Sequence, residues 1–198
     1  MTSTYGFALF DTAIGRCGIA WHENRVTGVQ LPEASDLKTR TRLLRRCPLA
    51  REATPPPDVE SAIAGIGALL RGAPSDLSAI ALDMEGVPEF ERRVYEVARS
   101  VPPGATLSYG EIAARLGDRA LARDVGQALG RNPFPLIVPC HRVLAAGGKA
   151  GGFSANGGLT TKFRLLSIER ARTSAAPTLF DGDDAFGFAL KPRRRRVG

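Results

Sequence analysis

Prolines crowd the segment 133–139, which leads directly to Cys140 and His141. Because proline fixes its own φ and lacks a backbone donor, this segment cannot continue a helix and its backbone is stiff. Repeated glycines in residues 147–158 then predict a flexible loop. The sequence therefore predicts an irregular, proline-braced approach to a cysteine that lies beside one of only two histidines in the chain.

Size and composition limit the classes of protein that this chain can belong to. It has 198 residues, of which 43% are hydrophobic, as is typical of a globular protein with a buried core. No apolar run approaches the roughly 20 residues that span a bilayer, and the first residues lack the pattern of a secretory signal. Three widely separated cysteines predict a reducing compartment, and neither a disulfide framework nor a zinc site.

Charge is distributed unevenly along the chain. Residues 1–86 contain 9 Lys/Arg and 10 Asp/Glu, whereas residues 87–171 contain 12 and 7. Residues 172–198 add 6 and 3, so the positive excess lies in the half that holds Cys140 and in the tail. A basic half beside a neutral half suits a polyanionic partner, but an ordinary solvated basic surface has the same composition. Charge by itself leaves both interpretations open.

Residues 1–86 predict a structural domain without catalytic residues. Apolar periodicity alternates between strand and helix patterns, and polar or proline-rich turns separate the elements. We expect helix N-caps at Ser35 and Asp58. The result is a small antiparallel sheet with helices packed against it. The predicted strands are 5–10, 15–21, 25–31 and 77–82, and the predicted helices are 37–47 and 59–71.

Residues 87–171 predict a mostly helical domain. Ser108 and Glu111 match a capping box at the start of one short helix, and Gly117 ends it before a second begins. Two short helices across a tight turn match a helix-turn-helix, although unrelated helix pairs match this pattern too. Small residues in the second helix suit close packing against another helix or close approach to DNA, with Arg123 as the cationic exception. The predicted helices are 88–101, 108–116, 120–129 and 159–171.

The tail, residues 172–198, has no helical or strand periodicity and ends in a run of arginines. We expect it to be disordered. Its arginines suit non-specific contacts with DNA, and they equally suit a solvated tail.

Cys140 and His141 are adjacent, which does not by itself bring their side chains together. In an extended strand, neighbouring side chains point to opposite faces, so their pairing requires a local turn or a bridging water. Glu169, on the last predicted helix, is a candidate to orient the far side of the imidazole. A lone Cys-His pair is nevertheless more often an inert buried cysteine than a nucleophile.

Several motifs occur together with this pair and in a fixed order. Pro139-Cys140-His141-Arg142-Val143 follows an Asn-Pro pair at 132–133 and precedes a Gly-Phe-Ser loop at 152–154. In this combination the sequence resembles the O6-alkylguanine-DNA alkyltransferases, the methylated-DNA–protein-cysteine methyltransferase family. The matching segments are 87–91, 103–110, 123–126, 131–133, 139–143, 152–154 and 162–169.

The resemblance implies an α+β fold, with a ribonuclease H-like antiparallel-sheet domain at 1–86 and a winged-helix-like helix-turn-helix domain at 87–171. It implies direct-reversal DNA repair, in which the alkyl group of O6-alkylguanine, or of O4-alkylthymine, moves irreversibly to Cys140 in a single turnover. The implied partner is double-stranded DNA containing alkylated guanine, bound by a monomer in the bacterial cytoplasm at the nucleoid or in a eukaryotic nucleus. No cofactor is implied, and because Cys17 and His22 lack further histidine partners we expect no metal.

The same resemblance implies roles for the residues around the cysteine. Cys140 is the nucleophile, His141 helps to deprotonate it through water, and Glu169 supports His141. Tyr109 donates a hydrogen bond or proton to the departing guanine, and Asn132 braces the turn between the second helix and the active-site strand. Displacement at a saturated carbon needs a soft thiolate and a stabilised leaving group, and requires neither a metal nor an oxyanion hole.

A lesion inside a duplex must be flipped out before a cysteine can reach it. By the same resemblance, Arg123 fills the vacated space, and Gly126 and Ala128 let the second helix lie in the minor groove. Ser154 contacts O6, the carbonyls of Cys140 and Val143 accept from the exocyclic amine, and Phe153 stands where some members have tyrosine. The expected substrate- and DNA-contacting residues are Arg123, Gly126, Ala128, Arg142, Val143, Phe153 and Ser154.

Three other functions fit parts of the sequence. A lesion sensor without transfer activity would share the DNA-binding half but lacks the acceptor cysteine. A plain helix-turn-helix regulator has no need for a Cys-His pair in a proline-braced segment. A cysteine hydrolase needs an oxyanion hole and a substrate cleft, for which the sequence offers no candidate.

Overall fold

The computed structural model describes residues 5–171, and the predicted disordered tail lies outside this range. The first elements are the strands β1 (Tyr5–Thr12), β2 (Gly15–His22), β3 (Arg25–Gln30) and β4 (Arg51–Glu52), which form a sheet in the order β3-β2-β1-β4. The first three strands form an antiparallel meander, and the fourth pairs with β1 in parallel. The predicted antiparallel sheet with strands at 5–10, 15–21 and 25–31 is confirmed, and the short β4 is an addition to it.

Two helices pack beside this sheet: α1 (Asp36–Arg46) and α2 (Pro57–Leu70). The predicted cap of α1 is confirmed, since the Ser35 side chain accepts a hydrogen bond from the Lys38 amide. The predicted cap of α2 is wrong. Pro57 occupies the first helical position, where a missing N–H costs nothing, so Asp58 already lies in the first turn.

The predicted strand 77–82 is also wrong, apart from an isolated bridge between Val26 and Leu82. Its sequence is apolar enough for a strand, but Asp76 accepts hydrogen bonds from both the amide and the hydroxyl of Ser78. Such an aspartate-centred turn fixes the backbone in a bend at the point where the strand would begin.

Residues 87–171 form four α-helices and a two-stranded parallel ribbon. The capping box is confirmed, because Ser108 accepts from the Glu111 amide while the Glu111 carboxylate accepts from the Ser108 amide. A 3₁₀ turn, Arg119–Leu121, precedes the second helix of the helix-turn-helix pair α4–α5. The elements are α3 (Glu89–Arg99), β5 (Leu107–Ser108), α4 (Tyr109–Arg115), α5 (Ala122–Gly130), β6 (Val143–Leu144) and α6 (Leu159–Ile168).

One hydrophobic core runs through both halves. It contains Ile19 and Ile66 from the sheet half together with Ile112 and Val125 from the helix-turn-helix, all of them fully buried. The Val29 amide on β3 donates to the Pro133 carbonyl over 2.8 Å, so the sheet also contacts the proline-rich segment through its backbone. Sheet and helices together give the α+β class that the sequence predicted. Among residues 5–171 no helix is long and apolar enough to span a membrane.

Candidate active site

The cysteine lies in a tight turn. Cys140–Arg142 form a 3₁₀ turn directly before β6, which pairs with β5. The active-site strand expected at this position is therefore wrong for Cys140 itself. Prolines preceding the turn remove the backbone donors that a longer strand would need, so the ribbon starts only at Val143.

Asn132 braces the segment that carries the cysteine. Its amide nitrogen donates to the Val138 carbonyl over 2.8 Å, and its amide oxygen accepts from the Phe134 amide over 2.9 Å. The braced turn contains Leu136 at φ 75°, a strained backbone conformation for a side chain of this size. The asparagine thus holds a bend in place immediately before the turn of Cys140.

Glu169, at the end of α6, binds two neighbouring residues of the cysteine turn at once. Its Oε1 lies 2.8 Å from His141 Nε2, and the Arg142 guanidinium donates to both carboxylate oxygens over 2.8 and 2.9 Å. The third arginine nitrogen donates to the Val101 carbonyl over 2.6 Å. The side chains of all three charged partners are almost fully buried. This ion-paired cluster fixes the cysteine turn between α3 and α6.

The cluster sets the protonation states of Glu169 and His141. Burial by itself would raise the pKa of Glu169, yet hydrogen bonds from His141 and Arg142 bring it down to about 2. Burial lowers the pKa of His141, against the raising effect of Glu169. Glu169 is therefore ionised and His141 neutral near pH 7. Since an ionised carboxylate can only accept, Nε2 carries the hydrogen and Nδ1 is left as the basic nitrogen.

Lys162 is the residue of this site whose role was not expected from the sequence. Its side chain is fully buried, and its ammonium donates to the carbonyls of Val143, over 2.6 Å, and Ala150. It also lies 5.9 Å from the centre of the Tyr109 ring. Burial lowers the pKa of Lys162 to about 8, and the nearby Cys140 opposes this shift. The available signal was its spacing on α6, because Lys162, Leu165, Leu166 and Glu169 share one helix face.

Burial raises the pKa of the Cys140 thiol above its ordinary value. The Asn132 side chain, the charge of Lys162 and backbone amides of the turn oppose that effect without overcoming it. The resting residue is therefore a thiol, and a base must remove its proton when it reacts. Burial and the nearby Cys140 likewise raise the pKa of Tyr109, so its hydroxyl keeps its proton and can donate it.

Cys140 faces an open cavity of about 590 Å³. The helix α5 forms one wall with Arg123 and Gly126, while the loop residues Phe153 and Ser154 form another, and Tyr109 lies between them. The loop approaches Tyr109 so closely that a Cβ at Gly151 would lie 2.9 Å from the tyrosine ring and hydroxyl. Glycine at this position, with φ +64°, allows both the contact and the left-handed backbone.

Three residues of the expected DNA- and substrate-contacting set are buried, and their contacts with DNA or substrate stay a prediction. Ala128 is fully buried on the core side of α5, where its carbonyl accepts from the Tyr95 hydroxyl over 3.0 Å. Arg142 is 5% exposed, and its guanidinium donates to the Glu169 carboxylate. Val143 is fully buried, and its carbonyl already accepts from Lys162. Small size in α5 therefore serves packing at Ala128 and leaves open space at Gly126.

The described residues, 5–171, contain no group of three or more His, Cys, Asp or Glu side chains arranged to hold a metal ion. His22 instead lies 3.3 Å from Asp83 and stacks on the Tyr5 ring, while Cys17 faces Thr12. Together, the fold and the site define an α+β protein in which a helix-turn-helix pair lies beside a partly buried cysteine that lines an open cavity.

Comparisons with known proteins identify the family. A family model described as "6-O-methylguanine DNA methyltransferase, DNA binding domain" matches residues 89–171. A methylated-DNA–protein-cysteine methyltransferase of Mycobacterium tuberculosis H37Rv is 36% identical over 88% of this chain and 98% of its own. That of Methanothermobacter thermautotrophicus is 37% identical over 77% and 78%. The crystal structure of M. tuberculosis OGT in complex with DNA superposes with a TM-score of 0.66 at 33% identity, covering 83% of this chain and 92% of that one. The chain belongs to the methylated-DNA–protein-cysteine methyltransferase family.

Proposed function

We propose that the protein repairs DNA by transferring the alkyl group of O6-alkylguanine irreversibly to Cys140. The observation that carries the proposal is the position of the Cys140 thiol in the open cavity between α5 and the loop 151–155. The volume of that cavity, about 590 Å³, falls within the roughly 300–1,000 Å³ of small-molecule sites and is large enough for a single flipped-out base. Relatives named as cysteine methyltransferases favour transfer over lesion sensing without transfer.

The proposed chemistry starts from the resting thiol. Neutral His141 accepts the thiol proton at Nδ1, through water, while ionised Glu169 holds the opposite nitrogen. The thiolate displaces guanine at the alkyl carbon, so that the S–C bond forms as the C–O6 bond breaks. Tyr109 donates toward the departing guanine. In the net reaction, the thiol exchanges its hydrogen for the alkyl group and the repaired guanine gains that hydrogen.

The proposed DNA surface is the α4–α5 side of the molecule. Arg123 is exposed at the cavity mouth, where a cationic side chain can replace the extruded base, and Gly126 leaves room for a sugar-phosphate backbone. We further infer that the protein binds as a monomer wherever DNA is housed, in the cytoplasm or nucleus. The ribonuclease H-like and winged-helix-like descriptions of its two parts fit the meander β1–β3 and the ribbon β5–β6 beside α4–α5.

The test uses duplex DNA carrying a single O6-methylguanine. We expect the peptide that contains Cys140 to gain the mass of one CH₂, with no more than one transfer per protein molecule. Cys140→Ala should abolish transfer and retain binding to the lesion. Cys47→Ala, which removes a partly buried thiol of the sheet half, is the matched control and should transfer normally. Lesion binding by the unaltered protein without any mass gain would instead identify a sensor.

A further inference from the structure

A hydrogen bond connects the sheet half to the loop that closes the cavity. Arg42, on α1, donates from Nη2 to the Ser154 carbonyl over 2.9 Å across 112 residues of sequence. Its other terminal nitrogen donates to Glu33 Oε1 over 2.7 Å. The Arg42 guanidinium therefore joins α1 to Ser154, which lies beside Phe153 in the wall of the cavity.

Glu33 is itself held in place by hydrogen bonds, so its carboxylate fixes the direction of the Arg42 side chain. Its side chain is only 12% exposed, and its Oε1 also accepts a hydrogen bond from the side-chain amide of the buried Gln30 over 3.1 Å. Its backbone amide donates to the Thr39 hydroxyl over 3.0 Å. Because the acceptor is fixed at both backbone and side chain, Arg42 loses little further freedom when it binds the loop.

The same face of α1 forms the back wall of the active site. A small cavity of about 20 Å³ adjoins Cys140 and is lined on one side by Arg42 and Arg46 and on the other by Asn132 and Ala155. Arg46 donates to the Asn132 carbonyl over 3.5 Å. The loop is also anchored at its two ends, where Lys162 binds the Ala150 carbonyl and Thr161 binds the Asn156 carbonyl. Arg42 contacts it between those anchors.

We propose that Arg42 is a positioning residue that holds the loop 151–155 closed and thereby sets which alkyl groups the cavity accepts. This inference rests on the proposed function. With the loop held, Phe153 and Ser154 press a small alkyl group toward Cys140. With the loop released, the methyl group is less well aligned, while a bulky group such as benzyl gains room.

Arginine is suited to this role because its planar fork can serve two acceptors in different directions at the same time. A lysine at position 42 offers one ammonium on a flexible stem, which can reach Glu33 or the Ser154 carbonyl but cannot bridge them in the same geometry. Arg42→Lys should therefore give an intermediate result, and Arg42→Ala the full effect. Arg45→Ala removes the same charge from an exposed position of the same helix and is the matched control.

The experiment measures each variant in two ways. Hydrogen exchange of the amides in 151–155, without DNA, reports whether the loop is held. Transfer rates from O6-methylguanine and O6-benzylguanine in the same duplex report alkyl selectivity. We expect Arg42→Ala to accelerate loop exchange and to slow methyl transfer by about tenfold, with a smaller change for benzyl. Arg45→Ala should match the unaltered protein in both measurements.

The two measurements separate failure of this inference from failure of the proposed function. Unchanged loop exchange in Arg42→Ala would overturn the positioning role, whatever the transfer rates. Faster exchange with an unchanged methyl-to-benzyl ratio would overturn the role in selectivity. No transfer by the unaltered protein to either lesion would overturn the proposed function and the selectivity, while loop exchange would still decide whether Arg42 holds the loop.

Discussion

Cys17 in the sheet is fully buried and Cys140 beside the helix-turn-helix is partly buried, and the groups around the two thiols differ. Burial raises the pKa of Cys17 to about 12, and a hydrogen bond with the Thr12 hydroxyl opposes this effect. Around Cys140, an amide side chain, a buried ammonium and backbone donors all oppose the same effect. Cys140 also faces the open cavity, whereas Cys17 is fully enclosed in the core. Burial alone therefore makes a thiol inert, and reactivity requires groups that stabilise its anion together with access for a substrate.

The largest effect is expected from Glu169→Gln, which keeps the shape of the side chain but removes the charge that His141 and Arg142 share. We expect transfer to slow by roughly 100-fold, because the basic nitrogen of His141 is no longer fixed. We expect a loss of stability at pH 7 of roughly 3 kcal/mol, the free energy that corresponds to a carboxyl pKa lowered from 4.5 to about 2.

That loss of stability should depend on pH in a defined direction. A carboxyl group whose pKa is lower in the folded than in the unfolded protein stabilises the fold at pH values above the unfolded-state pKa. This contribution disappears as pH falls from about 4.5 toward 2. The difference in denaturation midpoint between the variant and the unaltered protein should therefore shrink over this interval. Glu96→Gln, at an exposed position of α3, is the control and should show no such difference. A difference that stays constant down to pH 2 would contradict the assignment.

The next effect is expected from Lys162→Met, which makes the surroundings of Cys140 more like those of Cys17. Loss of the ammonium should raise the pKa of the Cys140 thiol, because a nearby positive charge favours the thiolate. We expect alkylation of Cys140 by iodoacetamide to slow by about tenfold at pH 7, because less of the thiol is ionised, and its pH profile to move to higher pH. Lys149→Met, at an exposed position, should leave the profile unchanged. An unshifted profile in Lys162→Met would show that the ammonium acts only through its hydrogen bonds.

A smaller effect is expected from Arg123→Ala, which alters the entrance to the cavity and leaves the thiol surroundings intact. Affinity for lesion-containing DNA should fall several-fold, and the slope of log affinity against log salt should decrease by about one. Transfer should slow at low DNA concentration. Arg71→Ala removes the same charge from the sheet half and should change neither quantity. Equal losses in both variants would assign the effect to net charge.

The smallest effect on activity is expected from Cys17→Ala. Removing one buried sulfur should lower stability by about 1–2 kcal/mol, measured by denaturant unfolding, because a small cavity remains. The stoichiometry and rate of alkyl transfer should not change. A clear loss of transfer by Cys17→Ala, under conditions in which the variant is fully folded, would contradict this prediction, because it would show that Cys17 takes part in the reaction.

Local signals in the sequence predicted much of the fold. The meander β1–β3, the cap at Ser35 and the capping box at Ser108 depend on residues close together in the chain, and each is confirmed. The prediction of a strand at 77–82 was wrong because the apolar periodicity of this segment carries no information about the turn centred on Asp76. The burial of Ala128 was not predicted, because small size on a helix does not reveal which side of it faces the core.

The sequence by itself determined the family, the α+β class and the identity of the candidate nucleophile, because these follow from local motifs and their order. Only the tertiary structure decided how the motifs meet. It brought Glu169 onto both His141 and Arg142, buried Lys162 against the Val143 and Ala150 carbonyls, and placed Arg42 of the sheet half on Ser154. These contacts join segments far apart in the chain, and their geometry depends on how the whole core packs, which no local pattern encodes.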